Sequence, residues 1–194
     1  MPCVEENVLL DLKTSKNCNL RGGVQCAFYN KYDNIDWDAM KDDPALFDQA
    51  NQCILGYALN ADAQPFACLE FERKTSTYSA TYTKDAGVYE SIFTLNFKGK
   101  GKELRNALCD AIQCCRLIIH IFDNNCEERV FGVEWTKTDF VEDIEPFEII
   151  RHLDQGGLLG STEPGDEIDF GGESLCPPLY GQVGSKDTFT ALYT

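Results

Sequence analysis

The sequence predicts an α+β domain dominated by antiparallel strands. Period-two runs through the middle of the chain carry this reading, together with one stretch of period 3.6 at about 102–115. The size agrees: 194 residues, 43% apolar and 11% aromatic, supply a core for one ordinary domain.

The first predicted strand is Val24-Gln25-Cys26-Ala27-Phe28-Tyr29, entered from the turn signal Arg21-Gly22-Gly23. Residues 33–52 read as an acidic loop. The carboxylates Asp33, Asp36, Asp38, Asp42 and Asp43 lack the position-six glycine and closing Glu of an EF-hand, so calcium is not expected there. Residues 52–59 and 66–73 read as strands. In the second, Phe66, Cys68 and Glu70 alternate with Ala67, Leu69 and Phe71.

A long hairpin follows. Residues 75–83 are rich in Thr, Ser and Tyr, Lys84-Asp85-Ala86-Gly87 turns the chain, and 88–97 returns. Tyr89, Ser91, Phe93, Leu95 and Phe97 share one face of the returning strand. After Gly99-Lys100-Gly101, the apolar residues Leu104, Ala107, Leu108, Ala111, Ile112 and Cys115 form one helical stripe, to be laid against a sheet. A second hairpin pairs 117–122 with 127–135 across Asp123-Asn124-Asn125-Cys126. His120 lies mid-strand with no catalytic partner visible, so it reads as a satisfied core histidine.

Residues 155–186 hold eight of the fifteen glycines and three of the seven prolines. No hydrophobic period survives there, yet Leu158, Leu159, Ile168, Phe170, Leu175, Leu179 and Tyr180 remain as apolar anchors. The reading is a β-rich domain over 1–154 and an extended, packed arm over 155–194, with a final short strand at 188–194.

Charge narrows the function. Seventeen Lys and Arg against 32 Asp and Glu give a net charge of −15, which disfavours nucleic-acid modules and anionic membrane surfaces. The acidic start, Met1-Pro2-Cys3-Val4-Glu5-Glu6, does not read as a secretory leader. The ten cysteines are therefore expected as mostly free, buried thiols made in a reducing cytoplasm. Cys109, Cys114 and Cys115 lack zinc-knuckle spacing, and His120 and His152 stand apart from any cysteine pair, so no metal site is expected. The sequence contains no phosphate loop, dinucleotide fingerprint, H-E-x-x-H or G-x-S-x-G. Neither enzymatic activity nor a cofactor is expected.

Four short stretches carry a resemblance: Ala80-Thr81-Tyr82-Thr83 with Val88-Tyr89-Glu90-Ser91, then Leu104-Arg105-Asn106-Ala107-Leu108, then Ile121-Phe122-Asp123-Asn124-Asn125. Together with the order hairpin, helix, strand, turn, strand, they resemble tail tube and tail ring proteins of tailed bacteriophages, particularly phages of Bacteroidetes-type hosts. Phe131-Gly132 matches a later Leu-Gly pair of that pattern, and Cys126 stands where its turn has glycine. The resemblance covers about residues 75–135.

What the resemblance implies is a β-sandwich or barrel flanked by one helix, with copies joined in a stacked hexameric ring. DNA would pass through the lumen without specific binding, and the protein would reside in the virion tail after assembly in the host cytoplasm. Its partners would be copies of itself and neighbouring tail or connector proteins, with no membrane. A head–tail connector, tail terminator or baseplate ring component fits the same pattern. A ligand- or sugar-binding β-barrel is the rival from another class. The residues expected at subunit contacts are Tyr78, Tyr82, Lys84, Asp85 and Tyr89 on the hairpin, and Leu158, Phe170, Leu179 and Tyr180 on the arm. Carboxylates are expected to dominate the channel wall.

Overall fold

A computed structural model describes residues 23–69, 76–98, 116–123, 127–136, 138–142, 145–155, 165–184 and 186–193. The chain is mostly β, in antiparallel sheets. The strands are β1 (Val24–Lys31), β2 (Phe47–Asp48), β3 (Cys53–Ile54), β4 (Ala67–Leu69), β5 (Thr77–Thr83), β6 (Val88–Lys98) and β7 (Leu117–Asp123). They continue as β8 (Glu128–Phe131), β9 (Val133–Trp135), β10 (Phe140–Glu142), β11 (Glu145–Gln155), β12 (Gly165–Ser174) and β13 (Leu179–Gly181). Two short α-helices are described, α1 (Trp37–Asp42) and α2 (Lys186–Tyr193). The amphipathic helix expected at about 102–115 lies outside the described residues.

A seven-stranded sheet, β2-β3-β13-β8-β7-β1-β4, forms the middle layer. Its pairs are antiparallel except β13 with β3. Every residue of β7 is buried, so the sheet is covered on both faces there. This explains why Leu117-Ile118-Ile119-His120-Ile121-Phe122 reads as a continuous apolar run without alternation. One face meets α1, α2 and their loops through Phe28, Ile54, Ile118, Phe122 and Val130. The other meets the four-stranded antiparallel sheet β11-β12-β6-β5. There Ala27, Ile119, Ile121 and Phe131 pack with Phe93, Leu95, Phe147, Ile168 and Phe170. The two sheets make the expected sandwich.

The predicted hairpin is present as β5 and β6, in register from Thr77 opposite Thr94 to Thr83 opposite Val88. Ser91, Phe93 and Leu95 are buried, and Ile92, Thr94 and Asn96 are half-buried, as the alternation requires.

Several expectations need correction. The stretch 33–52 contains α1, capped by the Asp36 side chain accepting from Ala39 N at 2.9 Å. Asp43 and Asp48 likewise accept from backbone N–H groups of Ala45, Ala50 and Asn51. Of 52–59 only Cys53–Ile54 is strand, because the next backbone donors go elsewhere: Leu55 and Gly56 to the Leu46 carbonyl, and Tyr57 to the Tyr193 hydroxyl. In 66–73 the described strand is Ala67–Leu69. The return strand 127–135 breaks at Gly132 (φ 93°), where a Cβ would overlap the Leu117 carbonyl oxygen. β9 then leaves the large sheet to pair with β10.

The expected arm is not an appendage. β12 sits between β11 and β6, with Ile168 and Phe170 turned into the core. Gly171 lets it lie there, since a Cβ at that position would meet Ile150 Cδ1 at 2.7 Å and the Ser91 carbonyl at 3.3 Å. The final strand expected at 188–194 is instead α2. Phe189 and Tyr193, four residues apart, present one aromatic face to the core. A short aromatic-rich segment has a β-like composition, but here its two rings meet only at helical spacing.

Candidate functional site

Two places concentrate polar chemistry or exposed apolar surface. The first is buried. β7 places His120 on the face toward α2, and β8 places Glu128 beside it. His120 Nε2 lies 3.0 Å from Glu128 Oε2, and His120 Nδ1 lies 2.9 Å from the Tyr57 hydroxyl. The Glu128 carboxylate also accepts from Val183 N at 2.9 Å and Gly184 N at 3.3 Å.

One protonation pattern satisfies all of these contacts. The tyrosine O–H donates to Nδ1, a neutral imidazole donates Nε2–H to the carboxylate, and two backbone N–H groups complete the carboxylate's shell. Burial pushes the His120 pKa below its ordinary value against the opposing pull of Glu128. Burial first, and then the Glu128 charge, push the Tyr57 phenol well above its own. Gly181 makes room, since a Cβ there would stand 2.7 Å from His120 Cε1.

The order Tyr–His–Glu has the look of a relay, but it lies in the wall between layers. His120 and Tyr57 are packed among Phe122 and Phe189. Two surface hollows, of about 470 Å³ beside Lys41, Phe47 and Leu55 and about 370 Å³ beside Ile92, Ile150 and Gly171, do not include these residues in their linings. The network fastens the segment leading into α2. His120 is thus a satisfied core histidine, as its mid-strand position predicts.

Asp123 and Glu134 repeat the device. Asp123 accepts from Glu127 N at 2.9 Å, and Glu134 accepts from Leu175 N at 2.8 Å and Cys176 N at 3.2 Å. Sequence reasoning misses these carboxylates because each pairs with backbone, which leaves no motif.

The second place is the surface formed by the β5–β6 hairpin and the outer face of the four-stranded sheet. Six of the seven residues of β5 are exposed, and only Tyr78 is half-buried. Tyr78 contacts Phe131 and donates to Asp123 Oδ2 at 3.4 Å. Tyr82 lies on the same strand face as Tyr78, yet it is 53% exposed with its ring against Tyr89. The distal part of β5 is thus exposed on both faces, while Val88, opposite Thr83 on β6, is buried. Lys84 and Asp85 are exposed at its tip.

The outer sheet face carries Glu90, Glu148, Glu167, Asp169 and Glu173. Arg151 bridges Glu167 and Asp169 there, and the Asp169 carboxylate holds its guanidinium pKa up.

Of the expected contact residues, Tyr78, Tyr82, Lys84, Asp85 and Tyr89 come together on the hairpin. Tyr180 is also exposed, with the Arg129 guanidinium 3.9 Å from its ring centroid, but it belongs to the large sheet. Phe170 and Leu179 are 3% exposed and lie within the two cores, so neither offers a side chain to a neighbour. Leu158 lies outside the described residues. Among the described residues no group of three or more His, Cys, Asp or Glu is placed to hold a metal ion. No described helix is long and apolar enough to cross a membrane.

The chain matches no family model, no curated protein and no solved structure.

Proposed function

We propose that the protein is a structural subunit of a tailed-phage virion that assembles into a ring or stacked-ring tail tube, most simply a hexamer, through which DNA passes. The resemblance over about 75–135 supplies the virion part of this reading. The observation that carries the assembly part is the β5–β6 hairpin, whose outer strand β5 ends the four-stranded sheet with six of its seven residues exposed. An exposed edge of this length is a template for pairing with another chain. A tail terminator, connector or baseplate ring would offer the same edge to a neighbouring chain. A ligand-binding barrel would need an interior void, whereas the space between the sheets is filled by Phe93, Phe131, Phe147 and Phe170.

In this reading the outer face of the four-stranded sheet is the channel wall. Its carboxylates repel phosphates over a Debye length of about 8 Å, so DNA slides without ion pairing. The test is native mass spectrometry with negative-stain imaging of the purified chain. Closed rings or stacks are expected, with Glu90, Glu148 and Glu173 lining the lumen in a reconstruction. A folded monomer at every concentration overturns the reading. A ring with a basic wall overturns the sliding argument alone.

A further inference from the structure

Strand edges are usually blunted by brevity, charge, proline or bulges. Three of the four outer strands of the two large sheets follow this rule. Among the described residues β2 and β4 hold two and three residues. β11 carries Pro146 and the charged residues Glu145, Glu148, Arg151 and Asp154, and its register with β12 shifts twice. β5 does not follow it. Its seven residues, Thr77-Tyr78-Ser79-Ala80-Thr81-Tyr82-Thr83, contain no charge, no proline and no register shift against β6.

The β5 sequence also reads nearly the same in both directions. About Ala80, Ser79 mirrors Thr81, Tyr78 mirrors Tyr82 and Thr77 mirrors Thr83. An antiparallel pair of two identical strands places each residue opposite its mirror position. We propose that β5 pairs with β5 of a second copy about a two-fold axis at Ala80, making one continuous eight-stranded sheet from the two four-stranded sheets.

Every cross-strand pair is then favourable or neutral. Tyr78 meets Tyr82 on the face toward the large sheet, beside the existing Tyr82–Tyr89 contact. Thr77 meets Thr83 and Ser79 meets Thr81 on the outer face, where hydroxyls hydrogen-bond across the pair. No like charges oppose each other. Six of the seven β5 residues are exposed at the end of the sheet, Tyr82 on the inner face among them, which leaves room for the partner strand.

Seven residues a side fall short of the roughly 20–30 of a standard interface, so the pair dissociates on dilution unless other contacts add to it. The inference shares with the ring reading only the premise that the hairpin is an assembly element. An isologous contact closes on itself. It cannot close a ring of six, so in a ring assembly β5 joins two rings base to base and other surfaces of the subunit make the contacts within each ring.

Cysteine substitution tests the register. At the axis the two Ala80 Cα atoms are about 4.5–5.5 Å apart, within disulfide range. Ala80→Cys should form a disulfide-linked dimer under mild oxidation that wild type, with its native thiols, does not form. Ser79→Cys mixed with Thr81→Cys should cross-link as a heterodimer, while each alone should not. Asp85→Cys, beyond the paired segment, should stay unlinked. Ala80→Lys should keep the urea midpoint and weaken association at least about tenfold, because two ammonium groups meet at the axis.

Failure of both the Ala80→Cys and the mixed cross-links overturns the proposal. Rings of the Ala80→Cys variant in which the introduced thiol remains reduced also overturn it, and leave the ring reading standing. A cross-linked pair that never grows beyond a dimer supports the proposal and overturns the ring.

Discussion

Replacing Glu128 by alanine removes the common acceptor of three buried or part-buried donors. Val183 N and His120 Nε2 lose contacts of 2.9 and 3.0 Å, and Gly184 N loses a longer one of 3.3 Å. A buried donor left unsatisfied costs about 1–3 kcal/mol. Three give an upper range near 9 kcal/mol, but the space vacated by the side chain admits a water that recovers part of it. The expected loss is about 3–5 kcal/mol, the size seen when one member of a buried charged network is removed. That is a large share of the roughly 5–15 kcal/mol that holds a domain together. Glu128→Gln should cost less. Its carbonyl still accepts one or two of the donors, while its NH2 faces another donor. Urea unfolding followed by the fluorescence of Trp37 and Trp135, at pH 8, reads both variants. A loss below about 1 kcal/mol for Glu128→Ala would mean that the carboxylate does not fasten the 183–184 segment, and the account of the network would be wrong.

Three other outcomes follow from the same packing. Gly132→Ala should cost more than about 4 kcal/mol or prevent folding, because it combines positive φ with overlap on the Leu117 carbonyl; a soluble variant with an unchanged urea midpoint refutes this. Phe189→Ala should cost about 3–5 kcal/mol, since Phe189 is fully buried against Phe28, Tyr57, Phe66 and Phe122; calorimetry measures it. His120, held below its ordinary pKa of 6.5 by burial, takes up a proton more readily in the unfolded chain, so stability is full above 6.5 and falls as pH drops below it; His120→Asn should flatten that slope in urea midpoints measured across the window.

The strands of highest contrast were legible. β1, β6 and β7 carry alternating or continuous apolar signals, and the packing that buries them is the packing the pattern implies; β5 was legible as the Thr-, Ser- and Tyr-rich partner across the 84–87 turn. β12 was illegible because glycines and acids dilute its signal. Ile168 and Phe170 are its only apolar side chains, both turned into the core, and the close approach at Gly171 comes from Ile150 and the Ser91 carbonyl, which are distant in sequence. α2 was misread because eight residues span only two turns, and Phe189, Leu192 and Tyr193 fit a short strand as well as a helix. The break at Gly132 follows from a carbonyl fifteen residues upstream, which no local reading sees. The exposure of the hairpin was legible because the Tyr, Ser and Thr residues of β5 stand outside any apolar period. The arm half failed at Phe170 and Leu179, since an apolar residue in a glycine-rich stretch looks the same whether it waits for a partner or already has one.

The distribution of charge bears on what the hairpin does. A chain at −15 is kept apart from its copies at long range, and that repulsion alone would suffice for solubility. Against that background, buried carboxylates staple loops at Asp123, Glu128 and Glu134, and further carboxylates line the outer sheet face. The seven residues of β5 carry none. Placing a Lys or Glu at Ser79 or Thr81 would cost the fold little, because both side chains are exposed, and it would blunt the edge. An edge left uncharged on a strongly acidic protein is open to short-range pairing only with a strand that fits it residue by residue. In the proposed pairing, general acidity suppresses unspecific contact and the neutral strand admits the specific one. The doubly covered β7 layer holds the fold together, and β5, at the end of the smaller sheet, is left exposed and uncharged.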